Sequence, residues 1–109
     1  MIVEITNQNF EAIVLNNKKP IILDFWAPRC GPCKILNPYF DEFAEKYQDD
    51  IIIGKINVDD NSDVAAQFGI RGIPTILFIK DGKILDKQIG ATSKKALEDK
   101  LKSNFLIVS

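Results

Sequence analysis

A chain of 109 residues, 46% hydrophobic and 27% charged, has the length and balance of one globular domain with a single core. Its formal net charge of −1 excludes a strongly basic nucleic-acid binder and gives no general attraction to anionic membranes. It holds no histidine and two cysteines, which removes any Ser-His-Asp or Cys-His nucleophile.

Hydrophobic periodicity alternates between strand and helix along the chain. Residues 2–5 read as a short strand, and residues 7–16 as a helix with Phe10, Ile13 and Val14 on one face. Pro20 opens the apolar run 21–26, the pattern of a strand covered on both faces. Ile35, Leu36, Tyr39, Phe40, Phe43 and Tyr47 then recur at helical spacing, with a kink expected at Pro38. Residues 51–58 form a second buried strand pattern. Asn61 or Ser62 caps a short helix to Phe68, where Gly69 supplies a left-handed end. After Pro74, the strand patterns 75–80 and 83–89 flank Asp81-Gly82, the strongest hairpin signal in the chain. Ser93 starts a last helix with Leu97, Leu101 and Phe105 inward. The order βαβαβαββα implies an α/β fold whose sheet is parallel where helices connect strands and antiparallel at the hairpin. Phe10, Phe25, Phe40, Phe43, Phe68 and Phe78 are expected in the core. Lys94, Lys95, Lys100 and Lys102 read as a solvated face, and 106–108 as an apolar tail packing locally.

The chemistry concentrates where the first buried strand meets the long helix. Trp26-Ala27-Pro28-Arg29-Cys30-Gly31-Pro32-Cys33-Lys34 carries both cysteines, two residues apart. Two thiols cannot close a tetrahedral zinc site, an iron–sulfur cluster usually needs four, and covalent haem attachment needs a histidine where Lys34 stands. A purely structural disulfide over so short a loop removes little chain entropy. Dithiol–disulfide chemistry is the reading that remains strongest. Residues 1–4 lack a charged segment followed by an apolar one, so no secretory signal is expected, and no apolar run approaches a membrane span. Together these favour a reducing compartment, the cytoplasm, where a disulfide is catalytic.

The nine-residue stretch, together with Gly69-Ile70-Arg71-Gly72-Ile73-Pro74-Thr75, Gly90, Asp24 and Lys55, closely resembles the thioredoxin family. The match runs over essentially the whole chain, as one domain of residues 1–109. The resemblance implies the thioredoxin fold, a central mixed five-stranded sheet flanked by four helices. It further implies a protein-disulfide reductase and electron carrier that holds no bound cofactor or metal. A thioredoxin reductase using NADPH and FAD would recharge it, since the chain has no Gly-rich nucleotide motif of its own. Its partners would be oxidised proteins of the ribonucleotide reductase, peroxiredoxin and methionine sulfoxide reductase types. No nucleic-acid or membrane partner is expected, and the expected state is a monomer.

Roles carry over residue by residue. Cys30 is the expected nucleophile and Cys33 the resolving thiol. An unperturbed thiol, with a pKa of about 8.5, is about 3% thiolate at pH 7, and half-ionisation needs about 2 kcal/mol of differential stabilisation. A helix N-terminus supplies about 0.3–1 kcal/mol, so free N–H groups of the first turn must add to it. Pro32 offers no N–H, and Gly31-Pro32 lacks the histidine that oxidant relatives carry, which implies a reductant. Asp24 interrupts an apolar strand, where burial should raise its pKa. The family role implied for it is acid/base assistance to Cys33, tuned by Lys55. A structural Asp24–Lys55 pair is the alternative. Pro74 matches the family's cis proline, with Ile73 before it open to pair with a substrate backbone. Trp26, Gly31, Pro32, Ile73, Thr75, Gly90 and Ala91 would complete a flat, apolar docking rim. Arg29 departs from the family, where tryptophan is common; it either lowers the Cys30 pKa and selects acidic partners or is a screened surface charge. The rival functions are a protein-disulfide oxidase or isomerase, and a binding module in which the thiols play no part.

Overall fold

Extended segments must bond their backbone polar groups to one another, and five here do so in one sheet, whose three inner strands are largely buried and whose two edge strands are largely exposed. The structure is a computed structural model and describes residues 2–108, so the expected domain limits Met1 and Ser109 lie outside it. Strands β1 (Ile2–Glu4), β2 (Ile21–Trp26), β3 (Ile52–Asn57), β4 (Thr75–Lys80) and β5 (Lys83–Ile89) take the order β1-β3-β2-β4-β5. β1, β3 and β2 are parallel, whereas β4 runs antiparallel to both β2 and β5. Helices α1 (Gly31–Lys46), α2 (Ser62–Gln67) and α3 (Lys94–Phe105) and one π-helical turn (Glu11–Leu15) make the four helical segments of the α/β fold.

Side-chain alternation divides β2 between two cores. Ile22 faces Ile53, Ile76 and Phe78 under Leu36, Phe40, Phe43 and Tyr47 of α1 and Leu97, Leu101 and Phe105 of α3. Ile21, Leu23 and Phe25 face the other way, with Ile56, Leu77 and Ile79, toward Ile5, Val14 and Val64. Asp24 and Trp26 share the parity of Ile22, and Lys55 shares that of Ile53, so all three point to the α1 side. α1 runs unbroken through Pro38. Asp81 and Gly82 both have positive φ, 52° and 76°, the backbone of a tight hairpin turn. Gly69 (φ +66°) ends α2: its N–H donates to Ala66 O and that of Ile70 to Ala65 O, the paired bonds of a Schellman cap.

The N-terminal segment departs from its periodicity. The pattern over residues 7–16 shrinks to one π-helical turn, closed by the Asn16 N–H on Glu11 O, and of its apolar face only Val14 is fully buried. Polar side chains compete for the backbone there: Asn9 Oδ1 accepts from Thr6 N–H and Thr6 Oγ1 from Gln8 N–H. Asn7 is committed elsewhere. Its N–H donates to Asn61 Oδ1 at 3.0 Å, and its own Oδ1 accepts from Val64 N–H at 3.1 Å. Asn61 therefore occupies the N-cap position of α2 without capping it, and a residue 57 positions away bonds the third N–H of the helix. Asn7→Ala should cost about 1 kcal/mol, lowering the melting temperature by about 4 °C in a thermal scan.

Three smaller expectations also change. Phe10 and Phe68 are half-buried at the margin of the second core, where their rings meet edge-on. Lys94 and Lys95 lie on an exposed face in surface pairs with Glu42 and Asp99, whereas Lys100 is half-buried in its pair with Asp86. In the tail only Ile107 packs, against the α1/α3 core, while Leu106 and Val108 are 81% and 96% exposed.

Candidate active site

β2 ends at Trp26 beside β3 and β4, and the chain turns directly into α1, which places the two cysteines over the end of the sheet. Cys30 and Cys33 form a disulfide, with Cα atoms 5.4 Å apart. Cys30 is the N-cap of α1, in extended backbone conformation, and the Cys33 N–H donates to Cys30 Sγ at 3.2 Å. A sulfur thus takes the acceptor place that an oxygen of Ser or Asp usually fills. Pro32 sits in the first turn, where its missing N–H leaves no bond unmade. Both sulfurs lie in a small apolar cluster with Ala27, against which Trp26, Val58 and Ile73 pack. Cys30 is 7% exposed and Cys33 2%, so the first is the one an incoming disulfide can meet.

The Ile73–Pro74 peptide is cis. Two bonds hold the segment around it: Thr75 Oγ1 donates to Gly72 O at 2.6 Å, and Gly90 N–H donates to Pro74 O at 2.8 Å. Gly90, at the end of β5, and its exposed neighbour Ala91 are thereby tied to the Pro74 segment. The N–H and C=O of Ile73 carry no hydrogen bond among the described residues, which leaves them free for another chain. Gly31 and Pro32 are exposed on the rim beside Cys30.

Beneath this surface Asp24 is fully buried, and neither carboxyl oxygen has a hydrogen-bond partner among the described residues. It lies opposite Lys55 in the parallel register of β2 and β3, with Lys55 Nζ 3.8 Å from Oδ2, beyond hydrogen-bond reach. Burial pushes the Asp24 pKa up and the nearby ammonium pulls it only part of the way back, which leaves it at about 7 against 3.8 for the free side chain. The Lys55 ammonium lies 5.2 Å over the Trp26 ring and donates its hydrogen bond to Asn37 Oδ1.

Arg29 is engaged by a carboxylate. Its Nη2 meets Asp59 Oδ1 at 3.2 Å, an exposed pair between the β2–α1 turn and the β3–α2 turn. Sequence reasoning did not single out Asp59, Val58 or Asn37. The signal available for Asn37 was its polarity four residues after Cys33, on the row of α1 that continues to buried Phe40. Among the described residues no group of three or more Cys, Asp or Glu is placed to hold a metal, and no helix is long and apolar enough to cross a membrane.

The sequence pattern of the thioredoxin family matches residues 1–103. A thioredoxin 2 of Chlorobaculum tepidum is 49% identical over 98 residues, 90% of each chain. A thioredoxin of Haemophilus influenzae is 48% identical over 96 residues, 88% of this chain and 90% of the relative. One from Porphyra purpurea is 46% identical over 98 residues, covering 90% of this chain and 92% of the relative.

Proposed function

The chain belongs to the thioredoxin family, and on that premise we propose that it is a general protein-disulfide reductase in which Cys30 attacks and Cys33 resolves. Thiol–disulfide oxidoreduction is its activity; the order of events is our assignment. The observation that carries it is the Cys30–Cys33 disulfide at the head of α1, with the more accessible sulfur in the N-cap place.

In the reduced protein the Cys30 thiolate occupies that place, facing the Cys33 N–H and the positive end of α1. It attacks one sulfur of a substrate disulfide. A Cys30–substrate bond forms, the substrate S–S bond breaks, and the departing thiolate takes a proton. Asp24 then accepts the Cys33 proton, directly or through water, and Cys33 attacks Cys30. The Cys30–Cys33 bond forms, the mixed disulfide breaks, and the second substrate thiol leaves with both electrons delivered. The free backbone of Ile73 holds the extended substrate, while Trp26, Gly31, Pro32, Gly90 and Ala91 give it a shallow apolar seat; Thr75 is buried with its hydroxyl on Gly72 O and braces the segment instead of meeting substrate. Lys55 lowers the proton affinity that burial gives Asp24. Arg29, paired with Asp59, is a screened charge at the margin of that seat.

The family implies a thioredoxin reductase as donor and disulfide-bearing proteins as substrates. A flavin- and NADPH-dependent donor, substrates of the ribonucleotide reductase, peroxiredoxin and methionine sulfoxide reductase types, and a single monomeric domain acting in the cytoplasm in electron transport and redox homeostasis complete the reading. Equilibration of the oxidised protein against a dithiothreitol or glutathione series tests it. A potential near the about −270 mV of thioredoxins is expected, and one near the about −120 mV of strong oxidants would instead make the protein an oxidase.

A further inference from the structure

Lys55 has two acceptors to choose between, and its hydrogen bond goes to the neutral one. The Asn37 amide on α1 accepts from Nζ, whereas the Asp24 carboxyl on β2 stays 3.8 Å away and has no hydrogen bond among the described residues. The Trp26 ring closes a third side of the ammonium, at 5.2 Å from its centroid. A buried carboxylate and a largely buried ammonium at this separation gain most by closing to a direct charge-assisted bond about 2.8 Å long. Asn37 competes with that closure.

We propose that Asn37 is a positioning residue that holds the Lys55 ammonium back from Asp24 and so keeps the buried carboxyl able to take and release a proton in the resolving step. The proposal rests on the acid/base role of Asp24 given above. A direct Lys55–Asp24 bond would lock the carboxylate in its charged form, which cannot give a proton back near neutral pH. Of the elements packed around Asp24, β3 brings the charge of Lys55 and α1 brings Cys30 and Cys33. β4 brings the neutral pair partner Ile76. In the oxidised protein the cysteines do not titrate, and Lys55 is the charge that acts on Asp24.

The experiment follows the Asp24 carboxyl carbon by ¹³C NMR from pH 4 to 10 in the oxidised protein. Asn37→Ala should lower the Asp24 midpoint by about one pH unit, because Lys55 closes onto the carboxylate. Asn37→Gln, which keeps an amide acceptor, should restore most of it. In a Lys55→Met background Asn37→Ala should leave the midpoint where it was. An unchanged or raised midpoint in Asn37→Ala, or a fall that persists without Lys55, would overturn the proposal. The pH profile of mixed-disulfide resolution in the same variants separates the two readings. If the NMR midpoint falls and the kinetic profile stays fixed, Asn37 positions Lys55 as proposed, and the assignment of Asp24 to the resolving step fails.

Discussion

Cys33→Ser should turn the protein from a reductase that turns over into a covalent trap. With Cys30 alone the first exchange still runs, because the N-cap position and the Cys33 backbone N–H survive a side-chain replacement. The second exchange loses its nucleophile. In the intact site the two sulfurs are already brought to bonding distance by one helical turn. Well-oriented intramolecular partners act at effective concentrations far above those of any external thiol at millimolar level. Steady-state reduction of a protein disulfide should therefore fall by at least about a thousandfold. A one-to-one adduct with substrate should accumulate, visible by intact mass and dissolved by dithiothreitol. Cys30→Ser should give neither turnover nor adduct, because its remaining thiol is the less exposed one, at 2%. If Cys30→Ser traps substrate and Cys33→Ser does not, the two roles are reversed.

The parts of this site readable from the chain are those that depend on neighbours in sequence. Spacing puts both cysteines in one turn, a charged residue interrupts each of two apolar strands, and Asp81-Gly82 and Gly69 demand left-handed backbone; all are local signals, and the structure contains each. The Asp24–Lys55 pairing was also legible, since two interruptions of adjacent buried strands have few other places to go. What escaped depends on partners far apart. Asn7 reads as part of a helix until Val64 and Asn61, more than 50 residues on, claim its side chain and backbone. Arg29 shows no partner in its own stretch of sequence until Asp59, 30 residues later, pairs with its guanidinium. Asn37 is an unremarked polar residue on α1 until Lys55 reaches it from β3. Periodicity reports which face a residue occupies, and it is silent on which of several polar partners wins.

Asp24→Asn should make the protein more stable, and by an amount that grows with pH. Burial holds the folded pKa near about 7, against 3.8 for the free side chain. For an acid raised in this way the folded state binds the proton more tightly than the unfolded chain. The contribution to stability is therefore whole below pH 3.8, declines between 3.8 and about 7 as the unfolded chain ionises first, and is gone above that. The interval corresponds to about 4 kcal/mol, a sizeable part of the stability of a domain this size. Asn has nearly the shape and desolvation of the protonated acid, so variant and parent should match near pH 3.5 and differ by about 4 kcal/mol at pH 8.5. Asp86 and Glu98 titrate with the opposite sign: their hydrogen bonds, to Asn104 and Lys46 first, hold them below the usual carboxylate range. Both groups are common to the two proteins and cancel in the difference. Urea unfolding of the oxidised forms from pH 3.5 to 9 measures it, with the cysteines removed from the titration by their bond. A difference that stays flat over this range would mean that Asp24 gives up its proton as easily inside the protein as outside. A growing one would show a buried carboxyl kept at the expense of stability, as the acid/base role proposed for Asp24 requires.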